Sequence, residues 1–225
     1  MEDNMSSVDQ SNQSILYRVF AWMGVAVGLS GVTAWLLAEY SQTLLLSPWM
    51  FFALFLVQMT IVIVLSSQIL TLSYAAAQIL FVLYAVTTGA TLSVLFLVYT
   101  IPSLVQTFFI AASMFASMAI YGAYTKTDLS GLRSLLMMTL WGVIIALLVN
   151  IFLQSAFLDM ITALVGVLLF SLLTAFDIQR ISVLVGYLSE RREEVRKIAL
   201  LGALQLYLDF INLFLSLLRL GGNRK

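Results

Sequence analysis

Residues 198–218 read IALLGALQLYLDFINLFLSLL, twenty-one residues with a single charge, Asp209. As an α-helix this segment rises about 31 Å, the thickness of a bilayer's hydrocarbon core. Its polar and small positions are Gly202, Gln205, Asp209, Asn212 and Ser216, spaced 3, 4, 3 and 4. That spacing draws one stripe along a helix face. The pattern predicts a membrane helix whose stripe is buried against other helices.

The remaining chain supplies those neighbours. Of its 225 residues, 62% are hydrophobic and 10% charged, with mean hydropathy +1.04. Soluble domains carry roughly 25% charged residues, so lipid is the solvent here. Apolar runs predict six earlier spans: Val19–Ala38, Pro48–Ser66, Ala75–Tyr99, Pro102–Tyr124, Leu135–Leu153 and one from Met160 towards Tyr187. Pro48 and Pro102 open two of them, where a missing N–H costs nothing. The expected fold is all-α, seven transmembrane helices, six surrounding a central polar-striped seventh. Residues 1–17 are expected to form a disordered polar tail, and 18–225 the membrane domain.

Orientation follows the loop cations. One side collects Arg18, Lys126, Arg133, Arg180, Arg191, Arg192, Arg196 and Lys197; the other collects Arg219, Arg224 and Lys225. The first side is assigned to the cytoplasm together with the N-terminus. The basic C-terminal tail would suit a re-entrant last segment, but the length of that segment favours a full crossing. The polar tail has no basic n-region and no cleavage site, so no secretory signal is expected. Cysteine and histidine are absent, which removes thiolate metal sites and the commonest catalytic base. The formal net charge is zero, and nothing points to nucleic acid.

Most acids lie in the tail, in loops or at helix ends; Glu39 and Asp159 are of the last kind. Asp177 and Asp209 lie inside spans. A charge deep in a bilayer costs at least ~2.5–3.5 kcal/mol and marks a functional candidate. The plainer account of Asp177 is a local pair with Arg180, one turn on. For Gln205, Asn212 and Ser216 it is interhelical hydrogen bonding, about 0.6 kcal/mol each. If the two carboxyls meet, they cannot both ionise cheaply and would titrate as a coupled pair. Ionised, the pair would attract a basic side chain or a hard cation such as Ca²⁺. Gly24-Val-Ala-Val-Gly28 is a small-residue pattern expected to be a helix contact.

Three stretches resemble the Bax inhibitor-1, or transmembrane Bax inhibitor motif, family in its bacterial inner-membrane branch: YTKTDLSGL at 124–132, LTAFDIQRI at 173–181 and LGALQLYLDFINLFLSLLR at 201–219. The resemblance covers Arg18 to the C-terminus. It implies six helices around a central seventh and a pH-sensitive Ca²⁺ leak, with Asp177 and Asp209 as the proton sensor and a possible Ca²⁺ site. It also implies an ion pair at Arg219, for which Glu39 is the candidate on topology. Bacterial members carry a basic latch in the second helix. This chain has no Lys or Arg between Arg18 and Lys126, so the latch is absent or supplied by Arg180.

Three function classes follow. The first is a cation leak gated by Asp177 and Asp209, with Ca²⁺ as the transported ion and no bound cofactor. The second is a regulatory protein that binds a membrane protease or translocase and moves no ion, through the first-helix face and the charged segment 189–197. An enzyme is not expected. Intramembrane aspartyl proteases need a GxGD segment, which Asp177 lacks, and rhomboid-type proteases need histidine. A retinal protein needs a lysine where Asp209 stands.

Overall fold

The computed structural model describes residues 2–187 and 192–225. Among them the chain is helical throughout its ordered elements, with no β-strand. The α-helices are α1 (Glu2–Leu36), α2 (Ser41–Leu46), α3 (Pro48–Gln68), α4 (Tyr74–Leu92), α5 (Leu95–Val98), α6 (Ile101–Tyr124), α7 (Arg133–Leu153), α8 (Ala156–Tyr187) and α9 (Arg192–Gly221). Single 3₁₀ turns lie at Ala38–Tyr40 and Ser130–Leu132. Pro48 and Pro102 sit in the first turns of α3 and α6.

Among the described residues, seven stretches are long and apolar enough to cross a membrane: Ile15–Leu36, Trp49–Gln68, Tyr74–Val98, Ile101–Tyr124, Ser130–Leu153, Ala156–Leu184 and Glu193–Gly221. All seven match expected spans. In water such surfaces would aggregate; in lipid, the helix is the element that satisfies every backbone group internally. The last span is 72% buried in its most apolar stretch, against 39% or less for the others. A polar stripe needs that enclosure.

Two helix starts lie in polar stretches of the chain. α1 begins at Glu2, so its backbone is helical through the polar segment where a disordered tail is expected. That segment has no Pro or Gly, and Glu2 and Asp3 favour a helix N-terminus. At the other junction, α9 already begins at Arg192, so most of the charged segment 189–197 is helix rather than loop. Residues 188–191, including Arg191, lie outside the described residues. Lys197 is buried, ion-paired with Glu193 at 3.2 Å. It also donates to the Leu70 carbonyl at 3.3 Å.

The chain divides into two compact units: residues up to Tyr99 with Ile181–Tyr207 and Lys225, and Thr100–Arg180 with Leu208–Arg224. A single membrane domain is the sequence expectation. The division falls within α8 and α9, whose length lets each contribute to both. In the first unit, Gln58 of α3 donates to the Thr87 carbonyl (3.0 Å) and to Thr91 Oγ1 (2.7 Å) of α4. Ser30 of α1 lies 2.6 Å from the hydroxyl of Tyr207, and its Oγ donates to the carbonyls of Ala26 (2.9 Å) and Ala85 (2.8 Å). The rings of Phe81 and Tyr84 stand edge-on to Tyr207. In the second unit, Phe108 and Phe115 of α6 meet Phe210 edge-on, at 5.5 and 5.7 Å between centroids.

Two glycines of the second unit set how near the helices come. A Cβ on Gly166 of α8 would stand 2.5 Å from Ser216 Oγ of α9, and one on Gly122 of α6 would enter the backbone of Ala175. By contrast, Gly24 and Gly28 meet nothing within 4 Å. Among the described residues no helix contact forms at that pair; α1 packs through its other face, at Met23, Ala26 and Ser30.

Gly122→Ala is therefore expected to destabilise the protein by roughly 1–3 kcal/mol through overpacking. Gly24→Ala should be neutral within about 0.5 kcal/mol. Denaturant unfolding of the two variants in the same detergent, followed by circular dichroism, measures the difference.

Candidate functional site

Asp177 and Asp209 are brought together. Both lie in the second unit, and both are buried, at 9% and 5% exposure. Their carboxyl groups stand within hydrogen-bonding reach of each other. Asp209 Oδ2 is wholly buried, and no hydrogen-bond donor among the described residues reaches it. Arg180 acts electrostatically on Asp177 from one turn along α8.

Helix length explains how they meet. α8 begins at Ala156 rather than Met160, placing Asp177 about 32 Å along the helix. Its span of 29 residues rises about 43 Å, beyond a ~30 Å hydrocarbon core. The surplus is taken up by overhang or tilt, so depth counted along one helix does not separate Asp177 from Asp209. The Gly166–Ser216 contact lies on the same two helices and holds them close.

The other stripe residues do not converge on the carboxyls. Ser216 is buried against Gly166. Asn212 donates to the Leu208 carbonyl of its own helix at 2.9 Å. Gln205 is half-buried and falls in the other unit.

Arg219 forms the ion pair expected of it, but its partner is Asp159, at 3.3 Å, and not Glu39. Arg224 adds a second contact to the same carboxylate at 3.6 Å. Asp159 lies in the first turn of α8 and Arg219 in the last turn of α9, so adjacent antiparallel helices bring those ends together. Glu39 lies in the 3₁₀ turn after α1. The sequence signal was opposite charge at helix ends assigned to one membrane face, where Asp159 and Arg219 already stood.

A further residue carries no advance signal. Gln179, two positions past Asp177, accepts from the Leu129 N–H and donates to the Thr127 carbonyl, both at 2.8 Å. It ties the 125–129 loop to the helix that holds Asp177. Within that loop Asp128 accepts from Ser130 N (2.9 Å) and Oγ (2.8 Å). These bonds hold its carboxyl below the ordinary range. Both motifs, 124–132 and 173–181, are thus one connected piece of structure.

The family model described as inhibitor of apoptosis-promoting Bax1 matches residues 12–225. The chain belongs to the Bax inhibitor-1 family. It is 42% identical to the inner membrane protein YbhL of Escherichia coli K12 over 95% of this chain and 93% of that one. An uncharacterized protein of Borreliella burgdorferi is 40% identical, over 98% and 99%. The Lactococcus lactis protein YrjE is 34% identical across both full lengths. This Bax inhibitor-1 family member is a multi-pass membrane protein, and all three quoted motifs fall within the matched region.

Gln179→Ala should leave two backbone groups of the 125–129 loop without their partners, costing about 1–2 kcal/mol locally. Trypsin cleavage after the exposed Lys126 is expected to quicken roughly five-fold or more. Cleavage time courses on wild type and variant in detergent check it.

Proposed function

We propose that this protein is a pH-sensitive cation leak of the inner membrane, with the N-terminus cytoplasmic and the Asp177–Asp209 pair as gate. The supporting observation is the pair itself: two buried carboxyls within hydrogen-bonding reach, one oxygen of which no donor among the described residues reaches. One shared proton satisfies that arrangement; two charges at such range repel strongly in a low dielectric. Losing the shared proton leaves two negative charges facing each other. They are relieved by separation, by a cation, or by Arg180. Oxygen donors favour a hard cation, so Ca²⁺ is the transported ion of choice. The chain has no histidine or cysteine, and we read it as non-enzymatic. Arg180 is the cationic group beside the pair, and it takes the part of the basic latch that other bacterial members carry in the second helix.

The alternative is a regulatory protein that binds a membrane protease or translocase without moving ions. It is favoured by the open face at Gly24 and Gly28 of the first span, since small residues on a lipid-facing helix admit a partner helix.

Liposomes loaded with a Ca²⁺ indicator discriminate the two. Flux through the wild type is expected to change several-fold between about pH 6 and 8, because loss of the shared proton leaves two like charges facing each other. Asp209→Asn should abolish that dependence. No flux at any pH, or the same pH profile in the variant, sinks the leak; undiminished capture of a partner by Asp209→Asn then favours the alternative.

A further inference from the structure

Away from the carboxyl pair, the second unit holds a cavity of about 400 Å³ where α7 ends and α8 begins. Asn150, Gln154, Ser155, Asp159, Arg219 and Arg224 line it. Two guanidiniums face one carboxylate, and Asp159 is engaged by both, one at each oxygen. One positive charge is left over among these lining residues. Each guanidinium carries five N–H donors, and among the described residues the two make one hydrogen bond, from Arg219 to Asp159. The start of α8 sets its partial positive charge at this wall and the ends of α7 and α9 set partial negative charge against it, so the attraction for an anion rests on the guanidiniums. The cavity is therefore charged and equipped for an anion.

The wall is also strained in a way that implicates a side chain. Gln154 has φ 49° and ψ 35°, the one positive-φ residue other than glycine among the described residues. Glycine is the usual occupant of such a helix end, because a Cβ there crowds the following carbonyl oxygen. Strain of this kind collects at ligand clamps. The turn is fixed by its own bonds: Gln154 N to the Asn150 carbonyl at 2.8 Å and Ser155 N to Asn150 Oδ1 at 2.9 Å. Arg224 is fixed as well. Next to it, Asn223 accepts from Thr100 N at 3.1 Å and donates to Ser103 Oγ at 2.9 Å.

The level in the membrane selects the anion. Three apolar spans end here, at Leu153, Ala156 and Gly221. Phe152 and Phe157, beside the cavity, are 87% and 68% exposed, so they stand among acyl chains. The headgroup phosphates lie at the next level out. We propose that this cavity binds a phosphate monoanion, presented by the headgroup of an anionic phospholipid. A single negative charge matches the single uncompensated positive one, and converging guanidiniums suit a phosphate's oxygens. The proposal stands independently of the leak.

Native mass spectrometry of the full chain, equilibrated with phosphatidylglycerol or phosphatidylcholine of equal acyl length, tests it. Phosphatidylglycerol should be retained about five-fold or more over phosphatidylcholine, the ratio given by one good charge-assisted contact. Arg224→Gln should reduce that preference towards one. Gln154→Gly should reduce it too, without lowering the thermal midpoint, because glycine relieves the strained turn. A parallel thermal titration with inorganic phosphate at constant ionic strength separates the sources. A saturable rise lost in Arg224→Gln, with no lipid preference, keeps the phosphate site and overturns the lipid as its source. Equal retention of both lipids with no response to phosphate overturns the proposal. So does a preference that survives both substitutions.

Discussion

The geometry of the candidate gate depends on how closely α8 approaches α9. Lipid offers no hydrophobic drive between helices, so approach is set by side-chain size and polar contacts. Gly166 admits Ser216 of α9, and nearer the other end of the same pair Gly202 admits Ile181. A side chain at either glycine would push the helices apart and open the space between Asp177 and Asp209. Close packing thereby fixes the distance on which the electrostatics rests. Two carboxyls at that range are tolerable in a low dielectric when they share a proton, and hardly otherwise.

The stripe on α9 combines residues with different roles. Ser216 is a packing surface, and Asn212 returns its donor to its own helix. Asp209 alone among them meets a titratable partner across the helix interface. Tyr207, hidden among apolar letters, proves as important to packing: it is wholly buried, surrounded edge-on by aromatic rings, and bonded to Ser30. Polarity in a membrane helix signals burial reliably and signals chemistry only when the group is ionisable.

The seven spans were legible because hydropathy over twenty residues is a local property, and lipid makes it decisive. The two aspartates inside spans were legible for the same reason, each being a charge where lipid admits few. The Asp159–Arg219 pair was not, since its members are 60 residues apart and no spacing rule joins them. Glu39 satisfied the same requirement of an acid at a helix end, and only the packing of α8 beside α9 selects between the two. Gln179 was less visible still. Its amide bonds to backbone groups, and a backbone acceptor has no signature in sequence.

Two charge clusters share the same helices, and this limits how a gate built from them can move. Asp159 and Asp177 are on α8; Arg219 and Asp209 are on α9. From cluster to cluster the path is eighteen residues along α8 and ten along α9, about 27 Å and 15 Å. The close contacts of Gly166 with Ser216 and of Gly202 with Ile181 are fifteen residues apart on α8 and fourteen on α9, so the helices run side by side there and the long Arg219 side chain takes up the surplus. At the cavity end, one carboxylate holds two guanidiniums in a half-exposed setting, a contact worth about 0–1 kcal/mol. At the other end, two carboxyls attract or repel with a single proton. The end whose energy changes most on titration is the one that moves, and the weak ion pair can reorient without breaking. Under the proposed reading, opening is therefore a rotation of α8 on α9 about the Asp159–Arg219 end. An anion held by Arg219 and Arg224 would stiffen that pivot from the lipid side.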